Sequence, residues 1–177
     1  MLFRSLTGCG GQTAARYPGY PTTWALLSAP PAKQIALRDA SAALGAPVVL
    51  PNTALVTPSD ASQVWEQCHI SVNDRCTAMA VWVKFPAQGV TVRYTPGAYG
   101  DPLRMYQGVA QSDGDRAKVV RLSSVPVLMI PEVPKHPVST ATWIEFALNG
   151  ITISVEGHYA DPSPLEAVAQ SIIDQSG

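Results

Sequence analysis

Residues 142–157 read TWIEFALNGITISVEG, two apolar alternations mirrored about Asn149-Gly150. Asn-Gly is the preferred dipeptide for a two-residue type I′ turn, where both central residues need positive φ. Such a turn fixes the register of the strands it joins. It sets Leu148 opposite Ile151, Phe146 opposite Ile153 and Ile144 opposite Val155, six apolar side chains on one face. Glu145, Thr152 and Ser154 take the other face. A hairpin with one apolar face must bury that face, so this stretch predicts an antiparallel sheet with a layer packed on it.

The pattern recurs upstream. AVWVKFPAQGVTVRY (80–94) alternates on both arms, and a turn at Pro86–Gly89 places Val81, Val83 and Phe85 on one face with Val90, Val92 and Tyr94. KVVRL (118–122) and VPVLMI (125–130) read as further strands, with Pro126 marking an edge or a bulge. VVLP (48–51) reads as a short strand or extended segment. SDASQVWEQC (59–68) fits helix or strand, its second half favouring strand.

Helical signals bracket these strands. PAKQIALRDASAALGAP (31–47) carries Leu37, Ala40 and Leu44 at helical spacing beside Ala36 and Ala43; Gly45 ends the element and Pro47 blocks its continuation. DPLRMYQGVAQ (101–111) reads as a short helix capped by Asp101, with Pro102 first. SPLEAVAQSIIDQ (163–175) reads as the last helix. Ser163 and Glu166 form a capping box, Pro164 lies in the first turn, and Leu165, Val168, Ala169 and Ile172 supply the buried stripe. The expected class is α+β: an antiparallel sheet built from hairpins, packed by an N-terminal and a C-terminal helix. The second sheet face is mixed in character and leaves room for a groove.

Composition narrows the function classes. The chain has 177 residues, 46% hydrophobic and 14% charged, with net charge −1. That length suits one domain, and near-neutral charge excludes the basic face that nucleic acid or a polybasic membrane patch requires. No apolar stretch approaches the roughly 20 residues of a membrane span. Residues 1–30 differ from the rest, being rich in Gly, Pro, Thr and Ala without periodicity. They read as a tether, with Trp24–Leu27 as a docked element; residues 31–177 read as the single domain.

The chain has three cysteines: Cys9, Cys68 and Cys76. Cys68 and Cys76 flank HISVNDR, whose Asn73-Asp74 is a turn signal, so two antiparallel strands would bring the thiols face to face as a disulfide. A metal site of Cys68, His69 and Cys76 is the rival, although it lacks a fourth ligand and a C-x-x-C spacing. Leu6-Thr7-Gly8-Cys9 resembles the lipobox of bacterial lipoproteins. The resemblance implies lipidation of Cys9, a membrane anchor, and a Gly-Pro-rich spacer after it. Only MLFRSLTG precedes Cys9, shorter than a signal peptide, so the start reads as truncated, with LFRS as translated adapter. A disulfide and a lipid anchor both place the domain outside the cytoplasm.

Chemistry is sparse. The sequence holds no G-x-S-x-G elbow, H-E-x-x-H pair, phosphate-binding loop or dinucleotide fingerprint. His136 lies in a proline-rich loop, and His158 and Asp161 flank the turn into the last helix. No catalytic residue, cofactor or metal is assigned. Trp82 and Trp143 fall on the faces opposite the apolar ones, either as core of a sheet covered on both sides or as a ligand- or partner-contacting strip.

Residues 36–173 resemble an uncharacterised bacterial extracytoplasmic domain found in predicted lipoproteins and in anti-sigma-factor-like membrane proteins. ASAALGAPVVLP, AVWVKFPAQGVTVRY, WIEFALNGITISVEG and LEAVAQSII carry the resemblance, in that order. It implies a non-enzymatic domain that senses, binds or regulates, with no catalytic residues to transfer. The leading expectation is therefore a lipid-anchored extracytoplasmic domain with a non-enzymatic binding, sensing or regulatory role, its partner an unidentified extracytoplasmic protein or hydrophobic ligand. The alternative is a carrier of a lipid or other hydrophobic ligand between sheet and helices.

Overall fold

The computed structural model describes residues 32–72, 75–97, 100–113, 116–132 and 141–177. Its strands are β1 (Lys33–Ile35), β2 (Gln63–Val72), β3 (Arg75–Phe85), β4 (Val90–Pro96), β5 (Lys118–Leu122), β6 (Val125–Ile130), β7 (Thr142–Leu148) and β8 (Ile151–Gly157). The helices are α1 (Ala40–Leu44), α2 (Pro102–Asp113) and α3 (Ser163–Gln175). All eight strands form one antiparallel sheet, ordered β1-β2-β3-β4-β8-β7-β6-β5. It consists of two four-stranded meanders joined where β4 lies against β8. The α+β class is thus present.

Both hairpin registers hold. Asn149 and Gly150 have φ of 50° and 78°, and β7 pairs with β8 through Leu148–Ile151, Phe146–Ile153 and Ile144–Val155. β3 pairs with β4 through Val81–Tyr94, Val83–Val92 and Phe85–Val90. These faces merge into one core. Val64, Val83, Val92, Val155, Ile144 and Met129 form a continuous buried row across six strands. α3 covers the β7–β8 part of that face with Leu165, Val168, Ala169 and Ile172, and α1 covers the β2–β3 part with Ala40 and Leu44. Ser171 Oγ accepts from Asn52 N–H at 2.9 Å and Gln175 Nε2 donates to the Leu50 carbonyl, which holds the extended segment around residues 48–52 along α3.

Four local expectations need correction. The N-terminal helix is short: residues 33–35 form edge strand β1, residues 37–39 a 3-10 turn, and only Ala40–Leu44 is α-helical before Gly45 closes it at φ 74°. Pairing Ile35 with Val64 lets a β-branched side chain extend the core at the sheet edge, and this outweighs the helical periodicity. At the last helix, the acceptor is Asp161 rather than a Ser163–Glu166 box. Its Oδ1 takes the Ser163 N–H at 3.0 Å and the Ser163 hydroxyl at 2.8 Å, which holds its carboxyl below the usual range. Strand β6 is internal, yet Pro126 precedes Val127, where pairing with β7 begins, so its missing N–H leaves that ladder intact. Finally, Cys68 and Cys76 are not direct cross-strand partners. Cys68 sits opposite Met79 and Cys76 opposite Ser71, with register shifts between, and the disulfide crosses this bulged section with Cα atoms 5.5 Å apart. With both thiols in that bond, the rival metal site loses its sulfur donors.

The Asp101 cap is present, its Oδ1 accepting from Arg104 N–H at 3.0 Å. α2 packs on the opposite sheet face, over β5 and β6, where Tyr106, Ala117 and Leu128 are buried with Met105, Val109 and Ile130 against them. Cys9, Trp24, His136 and the Asn73-Asp74 turn lie outside the described residues, as does the side chain of His69.

The Asn-Gly turn generates a test. A Cβ at Gly150 meets nothing within 4 Å, so substitution there is penalised through φ alone. Gly150→Val should cost about 2 kcal/mol and lower Tm by roughly 4–8 °C, whereas Gly150→Asn should melt close to the parent. Coincident melts for the valine variant and the parent would show that this turn does not set the hairpin.

Candidate functional site

Backbone pairing places one residue from every strand in a single row across the face opposite the main core. The row runs Gln34, Trp65, Trp82, Arg93, Ser154, Glu145, Leu128, Val119. Its β5–β6 end lies beneath α2. Over β2, β3 and β4 its members are two indoles and a guanidinium. The Arg93 guanidinium carbon stands 5.6 Å from the Trp82 ring centroid, a cation–π distance. The indole N–H groups of Trp65 and Trp82 are enclosed and find no acceptor among the described residues. Buried donors without partners are uncommon and costly, about 1–3 kcal/mol each.

Glu145 lies in the same row, two strands beyond Arg93, and is only 4% exposed. Ser154 Oγ donates to its Oε2 at 3.3 Å, while Oε1 has no hydrogen-bond partner. Burial pushes the carboxyl up to about 7, against the opposing pull of the Ser154 hydroxyl and the Arg93 guanidinium. Thr152, next along β8, donates to the Gly97 carbonyl at 2.9 Å and so pins the strand end that leads towards α2.

The two tryptophans singled out from the sequence are on this face but not together. Trp143 sits in the adjacent row, between Glu156 and Ile130, and is 36% exposed. Strands β4 and β8 separate its strand from that of Trp82, a lateral gap of about 14 Å at ~4.8 Å per strand. Trp82 is instead grouped with Trp65 and Arg93. Arg93 faces Trp82 across the β3–β4 hairpin itself, on the side away from its apolar face, and Trp65 reaches Trp82 through the bulged β2–β3 register, at which only the alternation in QVWEQC hinted. His158 Nδ1 lies 3.8 Å from Glu132 Oε1 on the surface, away from the row's Trp–Arg segment.

On the core face, a cleft of about 250 Å3 opens beside the Asn149-Gly150 turn. Tyr94, Ile151 and Ile153 form its buried floor, and Val49 and Leu148 its half-buried walls. The Tyr94 hydroxyl donates to the Val49 carbonyl.

Glu145 makes stability depend on pH. Its folded value, about 7, lies above its ordinary 4.5, so the native state holds the proton more tightly than the unfolded chain. That contribution is complete below about pH 4.5 and is lost as pH rises through 7. Glu145→Gln should therefore gain on the parent progressively over this window, by about 2–3 kcal/mol at pH 8 relative to pH 4.5. Urea melts of both proteins at several pH values measure the difference; a pH-independent gap would mean that another group titrates.

Searches against family models, curated proteins and solved structures find no match to this chain.

Proposed function

We propose that this chain is an extracytoplasmic, membrane-tethered domain that binds a protein partner through the Trp65–Trp82–Arg93 segment of the sheet. The observation that carries this reading is the row itself. Two half-buried tryptophans and an arginine stand side by side on strands away from those that α2 packs against, and among the described residues both indole donors lack acceptors. Trp and Arg dominate binding hot spots because they combine large apolar area with directional donors at small entropic cost. Trp143, exposed in the next row, extends the apolar surface towards β7.

Location rests on separate support. The Cys68–Cys76 disulfide fits an oxidising compartment. Among the described residues no helix is long and apolar enough to cross a membrane. Membrane attachment is assigned to Cys9, the thiol left over from the disulfide, through the lipobox-like Leu6-Thr7-Gly8. The non-enzymatic, sensing or regulatory character follows from the resemblance to bacterial extracytoplasmic domains, which implies no catalytic residues. A second reading, carriage of a hydrophobic ligand, is favoured by the apolar cleft beneath α3.

Anchoring and recognition can be tested separately. Expressed behind a bacterial lipoprotein signal peptide, the full chain should fractionate with membranes, and Cys9→Ser should release it without changing its melt. A photo-crosslinking residue at Lys84, on the Trp82 face, should give a discrete adduct in intact cells, while one at Arg38, beside α1, should not. Identical adduct patterns at the two positions would overturn the surface assignment.

A further inference from the structure

The cleft beside the Asn149-Gly150 turn has a chemical character that restricts its occupant. No charged side chain lines it. Its floor and walls are aliphatic apart from the Tyr94 ring, and that hydroxyl is already committed to the Val49 carbonyl. Polar groups stand only at the mouth: Asn149 on the turn, and Gln175 and Ser176 at the end of α3. An apolar cavity of about 150 Å3 stays dry and takes up benzene, so by the same ratio about 250 Å3 accommodates roughly eight to ten carbon atoms. The mouth has a polarity of its own. It lies at the C-terminus of α3, where backbone carbonyls give partial negative charge, so it suits a hydrogen-bond donor and opposes a carboxylate.

We propose that this cleft binds the hydrocarbon chain of an uncharged, hydroxyl-bearing amphiphile, with the hydroxyl at Asn149, Gln175 and Ser176. The chain lies between β8 and the segment carrying Val49, and its end reaches Ile153. This deepens the hydrophobic-ligand reading, and it is independent of the Trp82 surface, which occupies the opposite face. Its failure would leave the partner reading untouched.

1-Octanol and octanoate, matched in chain length, distinguish the outcomes. In the full chain with labelled isoleucine methyls, octanol should shift Ile151 and Ile153 saturably while Ile35 and Ile130 stay in place. Octanoate should bind about tenfold more weakly, because its charge finds no partner at the mouth. Leu148→Trp should fill the cleft and abolish the shifts with the fold retained. Should that variant fail to fold, Gln175→Lys carries the test, since a cation at the mouth should bring octanoate to the affinity of octanol. Absence of saturable shifts up to the solubility of octanol would overturn the proposal. So would equal binding of octanoate by the parent, or binding unaffected by either substitution.

Discussion

The pairing of β4 with β8 is the interaction on which the rest depends. Each of the two meanders pairs strands that follow one another in the chain, and their apolar faces meet in one core. The seam between them aligns Val92 with Val155 and Tyr94 with Ile153, which makes a single apolar face from two half-faces. It also brings Arg93 beside Ser154 and hence into one row with Glu145. Both sheet surfaces, the packed one and the one bearing the indoles, take their composition from this one register.

The two surfaces are built on opposite principles. On the core face, helices α1 and α3 exclude water and every large side chain is apolar. On the other face α2 protects one end only, and polar groups are enclosed without full compensation. A buried carboxyl with one unpartnered oxygen and two indole donors without acceptors all reduce stability. These costs fall on the face that carries the proposed partner surface, and departures from local consistency of this kind concentrate at functional sites.

What could be read from residues alone was local. The β7–β8 and β3–β4 registers followed from turn chemistry and alternation, and the structure holds both pair by pair. The cap of α2 followed from Asp101 and Pro102. Beyond the range of one hairpin the reading weakened. Residues 33–35 looked helical because periodicity does not reveal that Ile35 has Val64 as a neighbour, and the disulfide's offset depends on bulges that the spacing of Cys68 and Cys76 does not encode. Trp82 was noticed as facing away from the core. Arg93 lies opposite Trp82 in the β3–β4 register itself, but attention to the apolar face passed over it; Trp65 meets Trp82 through a β2–β3 pairing whose bulges the residues do not encode. The order that places β8 beside β4, rather than at an edge, has no local signal.

That order has a consequence for how the chain reaches its fold. β4 and β8 are some sixty residues apart in sequence, so the seam forms only after a long loop closes, whereas each meander forms through neighbours. Until then both halves expose the edge strands that will become the centre of the sheet, and in β8 the five residues from Ile151 to Val155 all end up buried. Two chains in this state present complementary edges to each other as well as to themselves. Exchange of the β5–β8 half between copies would reproduce the strand pairing of the seam, making the sheet's central junction a natural route to a swapped dimer.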